Sequence, residues 1–342
     1  MHMSDGIPTT ERQIPQRDPV IDGIRGVAIL LVVLGHSLQH HLTEFNSNII
    51  FKAIYSFHMP LFIAVSGYLA FGRIEARLPT LARNKAAHLV IPFLAWHFIT
   101  YLMSALHVGQ LSNPLDWYFQ LLVSPDNGLW FLWVLFLCFV VAGIVTHLPC
   151  RFRDSALLGS ALLLYVANYQ PGGLPLLRWL YPFFVAGYLY AKHAKQIRLC
   201  PQLPIAILSI TLWALLVPFF SCGNPMPIET LLTGWGLSGG SWLGLLLRYV
   251  IAGAGVIALT SMFSVWVRWS PIAIPLWLTF VGAASMDIYV SHQLFTSQPE
   301  GLVGPQFVPI AFVIGLTGSL CLSFFVLRRV TWLRCIFLGM WK

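Results

Sequence analysis

Apolar runs about as long as a bilayer is thick constrain this chain more than any other feature. A lipid-spanning helix needs about 20 consecutive apolar residues, with a range of roughly 17–25. Ten segments meet that requirement or approach it, near 20–42, 49–71, 86–107, 129–148, 155–169, 175–191, 203–221, 242–264, 272–295 and 306–328. The fifth is the shortest. Breaks fall where Pro, Gly and charged residues gather, as at 72–85, 112–128 and 221–241. Lipid offers no partner for an open backbone, so runs of this kind fold as helices. Composition agrees: 57% of residues are hydrophobic and 9% charged, against about 25% charged in soluble domains. The expected fold is an all-α integral membrane bundle of about ten transmembrane helices. Residues 1–19 and 329–342 are expected as tails flanking a single domain at 20–328. The first apolar run is too long for a signal-peptide core, so no cleaved leader is expected.

The charges give the bundle a direction. With the N-terminus in the cytoplasm, seventeen of the twenty Lys and Arg fall on the inner side. Lys52, Arg178 and Arg248 fall inside spans or at their outer ends. The outer loops hold Glu44, Asp116, Asp126, Glu229 and Glu300, with no Lys or Arg. This matches the positive-inside rule at every loop, with both termini cytoplasmic. It also accounts for the net charge of +8 without nucleic acid. The six cysteines show no C-x-x-C or Cys/His spacing, so no metal is expected. Gly236-Leu-Ser-Gly-Gly240 matches G-x-S-x-G, but without the strand–turn–helix of a nucleophile elbow it reads as an outer loop.

Ionisable residues inside spans are costly and mark function. In Asp22-Gly-Ile-Arg-Gly-Val-Ala-Ile-Leu-Leu-Val-Val-Leu-Gly-His36, Arg25 and His36 stand eleven residues apart. That is about three turns, so both project from one face, roughly 16 Å apart along the axis. Asp22 and Arg25 approach the inner face, near the basic loop from Arg73 to Lys85. Counting 1.5 Å per residue from the outer ends puts His36 about 9 Å deep, His58 about 13 Å, Asp287 about 12 Å and His292 about 5 Å. Arg178 and Arg248 lie toward the same side. His40, His41, His107, His147 and His193 read as interfacial or packed residues.

These segments resemble a known family. The Asp22–His36 stretch is similar to the opening signature of acyltransferase family 3 membrane proteins. Phe57-His-Met-Pro-Leu-Phe-Ile-Ala-Val-Ser-Gly-Tyr68 resembles its second-helix signature. Gly128-Leu-Trp-Phe-Leu-Trp133, Tyr181-Pro-Phe-Phe-Val-Ala-Gly-Tyr188 and Ser285-Met-Asp-Ile-Tyr-Val-Ser-His292 resemble later blocks, in the family's order. The nearest resemblance is to the small O-acetylase branch acting on fucose or exopolysaccharide sugars, so the C-terminal hydrolase-like domain of longer members is not expected. One departure stands out. Many members carry an Arg about one turn before a Pro in the third helix, whereas here Arg83 and Lys85 open it and His88 precedes Pro92.

The resemblance implies an enzyme of the bacterial inner membrane that moves acetyl from cytoplasmic acetyl-CoA to a glycan or lipid-linked oligosaccharide. His36 and Arg25 occupy the positions of the family's essential first-helix His and Arg. Arg25, Arg73, Arg77, Arg83 and Lys85 would grip the CoA phosphates, a task suited to Arg. His36 would act as general base or as transient acyl carrier. His58 or an outer Arg would stabilise the oxyanion, and Asp287 would orient an imidazole. Trp130, Arg178, Arg248 and His292 would meet the acceptor. The competing readings are a transporter using buried His, Asp and Arg as a relay, and a non-catalytic assembly subunit.

Overall fold

A computed structural model describes residues 18–75, 77–108, 113–123, 129–166, 173–197, 201–223, 225–234, 240–297 and 302–341. The tail carrying Arg12 and Arg17, together with Asp126, Arg198, Glu300, Lys342 and positions 236–239 of the G-x-S-x-G match, lies outside them. The described residues are helical throughout, with no strand. In order come α1 (Pro19–His41), α2 (Ile49–Ala70), α3 (Leu78–Lys85), α4 (Ile91–Val108), α5 (Pro114–Val123) and α6 (Trp130–Thr146). Then follow α7 (Arg153–Val166), α8 (Leu174–Lys192), α9 (Ala194–Ile197), α10 (Gln202–Leu216), α11 (Pro227–Gly234) and α12 (Gly240–Trp269). The chain closes with α13 (Leu276–Ala283), α14 (Ser285–Ser291), α15 (Gln293–Thr296), α16 (Phe307–Cys321) and α17 (Thr331–Leu338).

Among the described residues, six helices are long and apolar enough to cross a membrane: 19–41, 49–70, 78–106, 202–219, 242–269 and 307–327. Helix α6 is equally apolar at 17 residues. Helix α7 covers the described part of the segment near 155–169, as far as Val166. One expected span looks different. The segment near 272–295 is not one helix but three, interrupted at Ala284 and His292. The third span begins earlier than expected because α3 runs into α4 through a π-turn at Ala86–Val90. Pro92 has no N–H for the carbonyl of His88, four residues back, and the wider turn absorbs that gap.

Burial sorts the helices. Of the most apolar window in each, 61% of α2 and 56% of α1 is buried, against 17% for the segment containing α10. Exposed Leu208 and Leu215 on α10 give it the outward apolar face that lipid requires. The inner helices meet backbone to backbone through small residues, the packing favoured where lipid removes the usual hydrophobic drive. A Cβ at Gly67 would stand 2.0 Å from the Phe184 carbonyl oxygen, and one at Gly187 only 1.9 Å from that of Ala64, so α2 and α8 touch. Helices α1 and α13 touch in the same way, at Gly26 against Leu278 and Gly282 against Asp22.

The last residues form a docked helix rather than a loose tail. Trp96 Nε1 donates to the Phe337 carbonyl and Trp341 Nε1 to that of Ala87, at 2.9 and 2.8 Å. His88 Nδ1 donates to the carbonyl of Gly339, whose left-handed φ of +65° ends α17. Ion pairs tie the charged loops together, with Arg153 to Glu75 at 2.5 Å and Lys192 to Asp154 at 2.7 Å. Partial burial alone would raise the Asp154 pKa. The Lys192 ammonium and His193 overcome it and hold that carboxyl below its usual value.

Candidate active site

Helix α1 starts at a true cap, with the Asp18 carboxylate accepting the Val20 N–H at 2.9 Å. Its stripe of polar residues faces α14. Arg25 pairs with Asp22 at 3.3 Å and donates to Ser285 Oγ at 2.9 Å. Seven residues further along the second strip, the His292 ring lies 5.0 Å from the His36 ring, centroid to centroid. Seven residues turn a helix through nearly two full revolutions, so Ser285 and His292 share a face. The two segments therefore run side by side, cation against hydroxyl at one end and imidazole against imidazole at the other.

Around His36 stand further polar rings. His40 lies 6.2 Å away, nearly stacked, and Tyr55 meets His36 edge-on at the same distance. Tyr55 donates its hydroxyl to Gln39 Oε1 at 2.7 Å. His58 packs against Tyr55 at 4.9 Å. Gln39 and His40 are exposed, His36 is half-buried, and His58 and His292 are buried. The cluster thus leads inward from the surface at the end of α1.

The protein fixes two of these imidazoles. A backbone carbonyl only accepts, so a ring nitrogen bonded to one carries the proton. His58 Nδ1 donates to Ile54 at 2.7 Å, and His292 Nδ1 to Tyr289 at 2.7 Å and Ile288 at 3.2 Å. In the neutral rings the Nε2 atoms are then bare acceptors. A neutral His58 has no second N–H, so only its protonated ring would donate to an oxyanion.

Asp287 also departs from expectation. It does not orient an imidazole. Its carboxylate accepts from Arg328 at 2.7 Å and from the Ser323 hydroxyl. The reason is angular: five residues separate Asp287 from His292, which turns the helix about 140° and puts them on different faces. Asp287 is fully buried, and Arg328 also lies over the Phe324 ring at 4.5 Å. This pair braces α14 against the end of α16. Removing one partner of a buried pair costs about 3–5 kcal/mol. Asp287→Ala and Arg328→Ala are each expected to lower the melting temperature in detergent sharply. The Asp287→Ala, Arg328→Ala double variant should lose less than the two single losses added together. Additive losses would show that the pair is not coupled.

The remaining candidates are dispersed. Arg73, Arg77 and Arg83 are exposed on the α2–α3 turn and on α3, while the Lys85 ammonium sits 3.7 Å over the Phe139 ring. Trp130 opens α6 and packs beside Phe131, which in turn meets Tyr289 at 5.3 Å. Cys222 and Tyr55 both pack against the buried group of Leu38, Phe51, Ile54 and Val308, and the Arg248 charge acts on Cys222. Arg178 lies elsewhere, in an aromatic cage of Tyr165 at 5.5 Å and Trp242 at 5.1 Å. Pro182 deprives the Arg178 carbonyl of its helical donor, and the Tyr249 hydroxyl replaces it at 2.5 Å. Sequence reasoning missed Tyr55, His40, Gln39 and Arg328. Tyr55 was findable, because it stands three residues before His58 on the same helix face.

A family profile described as an acyltransferase domain matches residues 18–328. Nodulation protein NolL of Mesorhizobium japonicum is 31% identical over 181 residues, 52% of this chain and 48% of NolL. Nodulation protein NolL of Sinorhizobium fredii is 35% identical over 192 residues, 53% of this chain and 50% of that protein. The chain thus spans about half the length of the curated relatives it matches. No solved structure matches it.

Proposed function

This chain belongs to the acyltransferase domain family, and from that premise we propose that it is a membrane O-acyltransferase that uses acetyl-CoA to acetylate a sugar hydroxyl. The acceptor is an exopolysaccharide or a lipid-linked glycan, met near the outer face of a bacterial inner membrane. The chain crosses the membrane ten times with both termini inside. The observation that carries this reading is the single stripe on α1. An arginine stands at one end, and a half-buried histidine at the other lies in a cluster open to the surface.

The stripe suits a donor with a charged head and a thin arm. Arg25 grips a CoA phosphate from the cytoplasmic side, helped by Arg73, Arg77, Arg83 and Lys85 at the mouth. The pantetheine arm covers the roughly 16 Å to His36. There the thioester carbonyl meets the acceptor hydroxyl, whose pKa is far above 7, so the reaction needs a proton acceptor or an acyl carrier. Trp130, Arg248 and His292 line the acceptor side, and Arg178, held between Tyr165 and Trp242 away from the cluster, meets a more distant part of the glycan.

A charge-assisted hydrogen bond contributes about 1.5–3 kcal/mol. Arg25→Ala is therefore expected to raise the KM for acetyl-CoA by about 10- to 100-fold. The same variant should use a short acetyl thioester without phosphates as well as the parent does. Equal losses with both donors would contradict the phosphate grip. A wild-type chain that moves a solute and acylates no glycan would favour the transporter reading instead.

A further inference from the structure

The tautomer that the fold imposes on His292 singles out one atom. Its Nδ1–H is held by the Tyr289 and Ile288 carbonyls, so the neutral ring presents a lone pair at Nε2. The residue is fully buried, and Nε2 makes no hydrogen bond within the described residues. A buried acceptor left without a donor is costly, so one is rarely retained without a reason. The ring stands 5.0 Å from His36, which is half-buried and reached past exposed Gln39 and His40. A hydroxyl entering by that route has a buried acceptor, unpaired among the described residues, waiting on a ring 5.0 Å from the reacting one.

We propose that His292 Nε2 is the proton acceptor for the incoming hydroxyl, and that His36 is the acyl carrier. This rests on the acyltransferase reading and divides between two histidines the work left open for one. In the first step a His36 ring nitrogen attacks the thioester carbonyl. The C–S bond breaks, the acyl group stays on the ring, and the ring proton leaves with the thiolate as free thiol. In the second step the hydroxyl oxygen attacks the acyl carbon while its proton passes to His292 Nε2. The C–N bond breaks, and the His36 nitrogen takes back the proton from His292. No oxidant, metal or further reactant is required. The backbone carbonyls under Nδ1 steady the positive charge that His292 carries between the two transfers.

The test compares two acceptors. A sugar hydroxyl must lose its proton as it attacks, whereas hydroxylamine attacks as a neutral amine. His292→Ala should cut transfer to the sugar by at least about 100-fold, the usual size of a general-base contribution. Transfer to hydroxylamine should stay within about 3-fold of wild type on the same reasoning. His292→Gln, which keeps an N–H for the two carbonyls, should show the same split if packing is not the cause. His36→Ala should lose both activities. Equal losses for both acceptors in both His292 variants would overturn the assignment, as would a split that appears in His36→Ala instead. Acceptor-independent inactivity of the wild-type chain would fail the acyltransferase reading itself, a separate outcome.

Discussion

His36→Ala is expected to abolish acyl transfer, leaving less than about one part in a thousand, while the protein still accumulates in the membrane. General acid–base steps contribute about 10²–10⁴-fold, and losing a covalent carrier removes the route altogether. The loss is confined to chemistry because His36 is half-buried at the edge of the cluster. Its ring neighbours are those of His40, Tyr55 and His292, and the Tyr55 hydroxyl and His292 Nδ1 are held by Gln39 and by the Tyr289 and Ile288 carbonyls instead. The measurement is ester formation from labelled acetyl-CoA at matched protein levels. Wild-type rates in His36→Ala would remove this residue from the mechanism, whatever the role of His292.

The second large effect is structural. Gly187→Leu is expected to leave almost no folded protein. A Cβ there would stand 1.9 Å from the Ala64 carbonyl oxygen and 3.0 Å from the Tyr68 nitrogen. Backbone cannot yield as a side chain can, so α8 would have to leave α2. Extra methylenes in a packed core already cost about 1–3 kcal/mol, and this clash is harder. Helix α2 carries Tyr55 and His58, so its displacement would open the site as well. Gly159→Ala on α7 is the matched control, since nothing lies within 4 Å of that position. Yield of monodisperse protein in detergent, and its melting temperature, report both. A Gly187→Leu variant that melts with wild type would refute the close α2–α8 contact.

The helical class and the polar stripe of α1 were legible in the sequence for one physical reason. Charges in apolar helices are rare because they are expensive, so Arg25 and His36 stood out without any structure. Depth counting also put His292 near His36 correctly. It failed for Asp287 because depth says nothing about rotation. Three residues after Ala284 and five before His292, Asp287 turns toward α16 and Arg328. Arg328 itself was invisible because an arginine at the end of a span is what the positive-inside rule leads one to expect. Tyr55 and His40 were passed over on similar grounds, since rings at span ends read as interfacial. The interruptions at Ala284 and His292 were hidden too. The run 272–295 is apolar enough and long enough to read as one span, and the packing of Gly282 against Asp22 and Gly26 of α1 is a contact that no local pattern encodes.

The central claim is a donor held from the Arg25 end of α1 and an acceptor met at the His36 end. Reconstitution in sealed vesicles of known orientation tests it most directly. Labelled acetyl-CoA is supplied only on the side of the Arg25 end, and a glycan acceptor only on the opposite side. The account predicts alkali-labile label on the glycan, absent with His36→Ala and absent when the two sides are exchanged. Label that appears only with donor and acceptor on the same side, or equally with His36→Ala, would contradict it.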